Sequence, residues 1–458
     1  MASGDSPGDA SLGRGWLIFG WLFIIGLVVW QGWLVTRCED FWGPPLSVGD
    51  GPDYECLGYS LSRGQGFSFA WDDPAWRDPY LSSPDRSHYV HLERQAWAGP
   101  TTARPPLYPL AISGIYRVFD RGPQAFAAVR LFSAACLGIA GGLSVMLALI
   151  MATRTGLPTW AKGFAAVTTG GMAMADQTIR TYAVDFLSEP LSLVLTTGML
   201  LTAILALRRS DDRWWLGVAI LVGLMILTRS LMIFWLPGLA LLIGCSQPRN
   251  GGWRALSFIL AVVLCLTPWG IRNVRWLESF MPLGTQGMIS LLGGYSDEAL
   301  SDGNWHPEAE RRLRRLLDTQ PDAAERSVLE REVATARAAS REVRRWAVAH
   351  AADLPGLACL RLQQHWGPFR GKTLLWRLAM LSGMLWLILA RCREAWWFLG
   401  LPVLSSLCVM LLYETGGRFL VPLYGLMYSL AGIGIAAWLA WLIERMAASR
   451  TGRRRRLA

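Results

Sequence analysis

The sequence predicts an all-α polytopic membrane protein with about ten transmembrane helices, and two observations lead to this prediction. Hydrophobic residues make up 52% of the 458-residue chain and charged residues only 17%, whereas soluble domains carry about 25% charged residues. The apolar residues also gather in runs that approach the roughly 20 residues needed to cross the hydrocarbon core. A helix satisfies its own backbone hydrogen bonds, as lipid requires. A water-soluble core is therefore excluded.

Ten apolar runs are candidate spans. They cover residues 16–35, 132–151, 164–175, 190–207, 214–228, 230–244, 255–271, 374–390, 395–412 and 419–443. The fifth and sixth runs are separated only by Arg229. With ten spans, the short loops on one side carry most of the basic residues, so the positive-inside rule places that side and both termini in the cytoplasm. Fusing the fifth and sixth runs would destroy this asymmetry.

The same topology divides the chain into segments. We expect residues 1–15 to be a disordered cytoplasmic N-terminus, 16–35 the first span, 126–271 the next six spans, 374–443 the last three, and 444–458 a basic cytoplasmic tail. The long hydrophilic loops 36–125 and 272–373 then lie on the outer side. We expect a multi-pass protein of the plasma (inner) membrane whose function resides in these outer loops.

Both outer loops contain segments typical of helices at a membrane surface. The apolar segment 107–119 is too short to span and predicts a juxtamembrane helix in the interface. Leu and Ala alternate with charges in the second loop, as in amphipathic helices. Cys38, Cys56 and Cys359 lie on the oxidising side, where one pair, with Cys38 and Cys56 closest in sequence, is a candidate disulfide.

The net charge of +10 does not indicate nucleic acid as a partner. The basic residues are dispersed over the cytoplasmic loops and tail, where anionic headgroups of the lipid bilayer are the nearer partner. No P-loop or dinucleotide-binding glycine motif occurs in a suitable context, so the sequence does not support nucleotide-driven chemistry.

Several short motifs resemble one known family. In chain order they are Asp50-Gly-Pro-Asp-Tyr54, SLSRGQGF, ARPPLYP, SEPLSLVL, LTRS, LTPWGIRN and GGRFLVPLYGL. Together they resemble the GT-C glycosyltransferases that use polyprenyl-phosphate sugars, in particular the protein O-mannosyltransferase and lipid A aminoarabinose transferase group. Gly51 stands where many relatives have a second acid, Arg104 replaces a more frequent lysine, and ten helices are fewer than some members have.

The resemblance implies a reaction and a catalytic acid. A sugar arrives on a polyprenyl phosphate at the outer face, and a hydroxyl acceptor attacks its anomeric carbon with inversion while the lipid phosphate leaves. Asp50 is then the candidate base, because a carboxylate beside the hydroxyl can take its proton as charge develops. Asp53 could hold the acceptor or a divalent metal ion, or be only an N-cap or turn carboxylate. Carboxylates near phosphate allow such an ion without requiring it.

The leaving phosphate needs fixed positive charge, and arginine offers a planar fork that matches phosphate oxygens. The candidates on the outer side are Arg104, Arg229, Arg272 and Arg418. The alternative is that they merely snorkel at the membrane boundary. Asp185 and Glu189, at i and i+4 before the fourth span, are further substrate-binding candidates. Glu189 could hold sugar hydroxyls or favour the N-terminus of that helix.

A transporter or flippase of lipid-linked saccharides is the alternative function. Transporters usually place polar residues near the middle of the membrane and show broken helices in matching halves. In this sequence the acids cluster in loops on one face. A non-catalytic scaffold would leave Asp50 and the arginines without a role.

Overall fold

A computed structural model of the chain describes residues 14–46, 49–81, 97–209, 211–246, 250–318, 326–367 and 371–457. Within these residues the chain is helical, with a single two-stranded sheet. The predicted fold class is therefore confirmed. Most of the N-terminal segment that we expected to be disordered lies outside the described residues, and the first helix begins at Arg14.

The elements follow one another in four groups. The first contains α1 (Arg14–Val35), α2 (Gly51–Ser62), β1 (Ser68–Phe69), α3 (Pro74–Leu81), β2 (Gly99–Pro100) and α4 (Leu107–Phe119). The second contains α5 (Pro123–Ala152), α6 (Thr159–Ala175), α7 (Thr178–Val184), α8 (Glu189–Arg209), α9 (Asp212–Thr228), α10 (Leu236–Ser246) and α11 (Gly251–Leu277). The third contains α12 (Gln286–Gly294), α13 (Asp297–Asp302), α14 (Glu308–Asp318), α15 (Val328–Ala349) and α16 (Leu354–Trp366). The fourth contains α17 (Gly371–Leu389), α18 (Ala395–Leu411) and α19 (Tyr424–Leu457).

Each predicted run coincides with one helix or with a helix and its preceding 3-10 segment. Among the described residues, 5 helices are long and apolar enough to cross a membrane: α1, α5, α8, α11 and the segment Arg418–Ser449. The shorter apolar helices include α18 and the segment Ser230–Ser246. The chain breaks at Arg229, between α9 and the 3-10 segment Ser230–Trp235. The fifth and sixth runs are therefore separate elements.

Helix α5 lies at the centre of the bundle, and small residues allow its neighbours to approach. A side chain at Gly138 would meet the backbone nitrogen of Val28 on α1 at 2.5 Å, and one at Gly142 would collide with Ile24. Small residues at helix contacts are typical of membrane proteins, where close packing replaces hydrophobic exclusion. The outer helices instead leave large apolar side chains exposed, as a lipid-facing surface requires; examples are Leu22, Leu264 and Leu375.

The described part of the loop 36–125, called the first outer loop after its predicted side, folds around a buried carboxylate. Glu55 on α2 accepts hydrogen bonds from Tyr80 Oη at 3.0 Å, Tyr116 Oη at 2.8 Å and Arg121 Nε at 2.6 Å. These bonds fasten α2 to α3 and α4, and α4 begins and ends at the residues predicted for the juxtamembrane helix. The Cys38–Cys56 disulfide is not formed, because all eight cysteines are free thiols.

Candidate active site

The structure brings six of the eight predicted site residues together at one end of the helix bundle. Asp50 directly precedes α2, Asp53 lies in the first turn of that helix, and Arg104 lies just before α4. The other three also mark helix ends: Glu189 begins α8, Arg229 follows the last residue of α9, and Arg418 begins the 3-10 segment before α19. The predicted topology assigns all of these ends to the outer side.

Arg104 joins the two aspartates. Its Nη2 donates to Asp50 Oδ1 at 2.7 Å and to Asp53 Oδ2 at 2.6 Å, and its Nε donates to Asp53 Oδ2 at 3.0 Å. Helical spacing explains the arrangement, because residues three apart project from the same side of a helix. Asp53 is therefore not the N-cap of α2. Asp50 holds that position, and its side chain makes no capping bond.

A second group of charges surrounds Glu189, whose side chain is fully buried. Arg418 donates to Glu189 Oε1 through Nε at 2.8 Å and Nη2 at 2.5 Å, and Arg229 Nη1 lies 2.6 Å from the same oxygen. Arg418 Nη2 also donates to Asp50 Oδ2 at 3.1 Å. Asp50 thus links the two groups, with one carboxylate oxygen on Arg104 and the other on Arg418. Three guanidinium groups face three carboxylates, so the formal charges of this set cancel.

Asp50 is held in its ionised form. Burial raises the pKa of this carboxyl, but Arg104 and Arg418 outweigh burial, and the pKa lies well below its ordinary value. An aspartate in this state is a weak base. Loss of the contact with Arg104 or Arg418 would raise the pKa of this carboxyl and make it a stronger base.

Gly51 occupies a position where the structure leaves no room for a side chain. A side chain at this position would collide with the backbone carbonyl of Asp185 and would also contact Pro45 at 3.4 Å. The connection between α7 and α8 therefore packs directly on the first turn of α2. Only glycine allows this approach.

Asp185 and Arg272 do not join the ion network. Asp185 caps α7, and burial raises the pKa of its carboxyl while nearby Arg130 opposes the change. Arg272 donates to the carbonyl oxygens of Thr101 at 2.9 Å and Phe67 at 3.2 Å. These bonds hold the backbone ahead of Arg104, so Arg272 supports the site from outside the network.

Two polar groups near the site were not among the predicted residues. Glu332 on α15 is buried, and its Oε2 accepts from the backbone nitrogen and the hydroxyl of Thr102, each at 3.1 Å. It thereby fixes the chain that leads to Arg104. The hydroxyl of Tyr54 shares a 3.3 Å hydrogen bond with the hydroxyl of Ser188. The sequence feature that could have identified Glu332 is its position beside Val333 and Ala336, which lie on the buried face of an otherwise charged helix.

Across the described ranges, no group of three or more His, Cys, Asp or Glu residues is close enough to hold a metal ion. Divalent ions such as Mg²⁺ and Ca²⁺ prefer several oxygen ligands. Asp50 and Asp53 both direct a carboxylate oxygen to Arg104. The guanidinium therefore supplies the positive charge between these two carboxylates.

Comparisons with known proteins show what the fold resembles. The sequence matches no protein-family model and no curated protein. The structure is similar to the oligosaccharyltransferase of Archaeoglobus fulgidus in complex with Zn and sulfate, with 13% identity and a TM-score of 0.52 over 95% of this chain and 50% of that one. It is also similar to the oligosaccharyltransferase AglB of the same organism in complex with an inhibitory peptide and a dolichol-phosphate, with 12% identity and a TM-score of 0.53 over 95% and 51%.

The likeness concerns part of these larger proteins, because the chain spans about half the length of the two oligosaccharyltransferases. A third structure, ArnT from Cupriavidus metallidurans bound to undecaprenyl phosphate, aligns with 93% of this chain and 78% of its own, with 14% identity and a TM-score of 0.39. By length and composition, the long apolar helices of the described residues identify a multi-pass membrane protein.

Proposed function

We propose that this protein, which has the GT-C fold, transfers a single sugar from a polyprenyl-phosphate donor to a hydroxyl acceptor at the outer face of the plasma membrane. The observation that carries the proposal is the pair of arginine forks, Arg104 and Arg418, that share the carboxylate of Asp50. Guanidinium forks match phosphate oxygens as well as carboxylates. The donor phosphate can therefore replace the carboxylate of Asp50 as the partner of these two guanidinium groups.

The exchange gives Asp50 its role. When the phosphate binds Arg104 and Arg418, Asp50 loses the cations that depress its pKa and regains the basicity of an ordinary carboxylate. It takes the proton of the acceptor hydroxyl while the acceptor oxygen bonds to the anomeric carbon. The bond from that carbon to the phosphate oxygen breaks, and the electron pair leaves on the polyprenyl phosphate. Attack from the side opposite the phosphate inverts the anomeric centre.

The donor class has a second line of support. AglB, a neighbour in fold, was captured with a dolichol-phosphate. Dolichol is a polyisoprenoid carrier, so a lipid phosphate is the donor chemistry that we propose for this chain. The sugar and the acceptor are to be identified by assay.

The grouping of the six residues at helix ends favours transfer over transport. A transporter is expected to hold its substrate near the middle of the membrane. In this protein Glu189 and Arg418 are the first residues of their elements, and Arg229 directly follows the last residue of α9.

The test compares wild type with Asp50→Asn in lipid nanodiscs against a panel of polyprenyl-phosphate sugars, and the release of polyprenyl phosphate is measured. Loss of a general base lowers kcat by about 10²–10⁴-fold. Asp212→Asn is the matched control, because Asp212 pairs with Arg254 at the predicted cytoplasmic end and is 74% exposed. Equal turnover by folded Asp50→Asn protein would remove Asp50 as the base. Passage of intact donor across sealed vesicles without bond cleavage would support the transporter.

A further inference from the structure

The backbone just before Arg418 is held by a single buried carboxylate. Glu414 Oε1 accepts from the backbone nitrogens of Thr415 at 2.7 Å and Gly417 at 3.1 Å. Gly416 and Gly417 have φ angles of 61° and 84°, a left-handed conformation that glycine adopts readily. The turn therefore depends on two glycines and one glutamate, and Arg418 is the next residue.

A residue of the second outer loop binds the side chain of Glu414 and so contacts this turn from outside. His365 on α16 lies with Nδ1 2.6 Å from Glu414 Oε2, and its Nε2 lies 3.1 Å from Ser405 Oγ on α18. The side chains of His365 and Glu414 are both fully buried. Because a carboxylate accepts hydrogen bonds, Nδ1 donates to Glu414, and Nε2 shares a hydrogen bond with the hydroxyl of Ser405.

The residues between α13 and α14 add two more contacts to the same turn. The backbone nitrogen of Trp305 donates to the carbonyl of Glu414 at 2.7 Å, and the nitrogen of Gly416 donates to Asn304 Oδ1 at 3.2 Å. Two separate parts of the second outer loop thus converge on the four residues that precede Arg418.

Ser405, His365 and Glu414 are the residue types of a hydrolase triad, but they lack access to a substrate. Ser405 lies within α18 and is 2% exposed, and His365 is 1% exposed. A nucleophile must reach the atom it attacks. The three side chains are therefore suited to holding structure and not to nucleophilic catalysis.

We infer that His365 and Glu414 are positioning residues that fix the fork of Arg418 for the leaving phosphate. This inference rests on the proposed function, since it assigns their purpose through Arg418. An active-site group has to be held within about 0.5 Å of its productive position by locked supporting side chains. His365 makes the second outer loop one of those supports, so a change in that loop is transmitted to the leaving-group site.

The first test is a double-mutant cycle. A misplacement of about 1 Å can cost 10²-fold in rate, so His365→Phe is expected to lower kcat/KM for donor turnover by roughly 10–100-fold. In an Arg418→Met background the same change should cost almost nothing more, because its effect passes through Arg418. His365→Gln, which keeps an N–H donor, should recover part of the loss. Fully additive losses in the double variant would overturn the inference.

The second test does not need turnover. In hydrogen exchange on nanodisc-embedded protein, His365→Phe should speed exchange of the Thr415 and Gly417 amides. His350→Phe is the matched control. His350 lies in the same loop, where its ring stacks on Trp346 and its Nδ1 is bonded to the Trp346 carbonyl and not to the turn. If wild type turns over no donor but the amides respond, the proposed function fails while the support of the turn stands. Exchange and turnover both equal to wild type in His365→Phe would overturn the inference, and His365→Gln decides the question if the phenylalanine variant does not fold.

Discussion

Replacing Arg418 by methionine should change the pH dependence of the reaction. Two guanidinium groups hold the charge of Asp50, and Arg418 provides the contact at 3.1 Å. Charges about 4 Å apart interact by about 4 kcal/mol at an effective dielectric constant of about 20. About 1.4 kcal/mol corresponds to one pH unit, so this interaction alone would shift the pKa of Asp50 by about three pH units before solvent screening.

The effect in the protein is smaller for two structural reasons. Asp50 and Arg418 side chains are 27% and 26% exposed, and Arg104 remains in place. We therefore expect the pKa of Asp50 to rise by about one to two pH units toward its ordinary value. Methionine also leaves Glu189 paired with Arg229, so the buried carboxylate keeps a cation and the variant should fold.

The assay is kcat/KM for donor turnover, measured from neutral pH down to the lowest pH at which both proteins remain folded, because this parameter reports groups of the free enzyme. The sign follows from the depressed pKa: a base active as the anion loses activity as the pH falls through its folded pKa. The acid limb of Arg418→Met should therefore lie about one to two pH units above that of wild type. Arg418→Lys keeps the charge and should keep the limb, while its KM rises because the fork is lost. An unchanged acid limb in Arg418→Met, with the fold intact, would refute the account of Asp50.

Three further predictions concern single residues of the first outer loop. Arg104→Ala should weaken binding of polyprenyl phosphate by about 1.5–3 kcal/mol, the value of a charge-assisted hydrogen bond, and Arg104→Lys should weaken it by less. Unchanged affinity in the alanine variant would remove Arg104 from the site. Gly51→Ala should destabilise the protein by about 1–3 kcal/mol, measured by thermal unfolding, because its methyl group meets the Asp185 carbonyl; a stable variant would contradict this packing. Glu55→Ala should cost about 3–5 kcal/mol in the same assay, because it leaves buried Arg121 without its carboxylate, and a loss below 1 kcal/mol would contradict this role.

Much of the site was recognisable in the sequence as separate short motifs. Asp50, Arg104 and Arg418 each lie in a motif that resembles those of the GT-C glycosyltransferases, and each falls on the predicted outer side. Their partners were not predictable, because the bonds join residues 54 and 368 positions apart in the chain. Hydrophobic pattern fixes which segments are helices, but it carries no information about which helix ends meet.

The surroundings of Arg272 and Glu332 were unpredictable for the same reason. Arg272 was grouped with the phosphate-binding arginines because it lies at the end of a predicted span, yet its guanidinium binds backbone carbonyls. Glu332 was hidden among many charges of an amphipathic segment. The charge and the sequence position of each residue are compatible both with binding a substrate and with binding the protein's own backbone. Only the surrounding atoms decide whether a guanidinium faces a carbonyl or a carboxylate.

The sequence by itself determined the fold class, the ten apolar runs and the break at Arg229, because composition and local periodicity set the secondary structure that lipid permits. The tertiary structure decided that Asp50 is shared between Arg104 and Arg418, and that His365 and Glu414 hold the turn before Arg418. These contacts arise from packing of distant segments. A buried charge requires a partner of opposite charge or a hydrogen bond, and tertiary packing determines which residue that partner is.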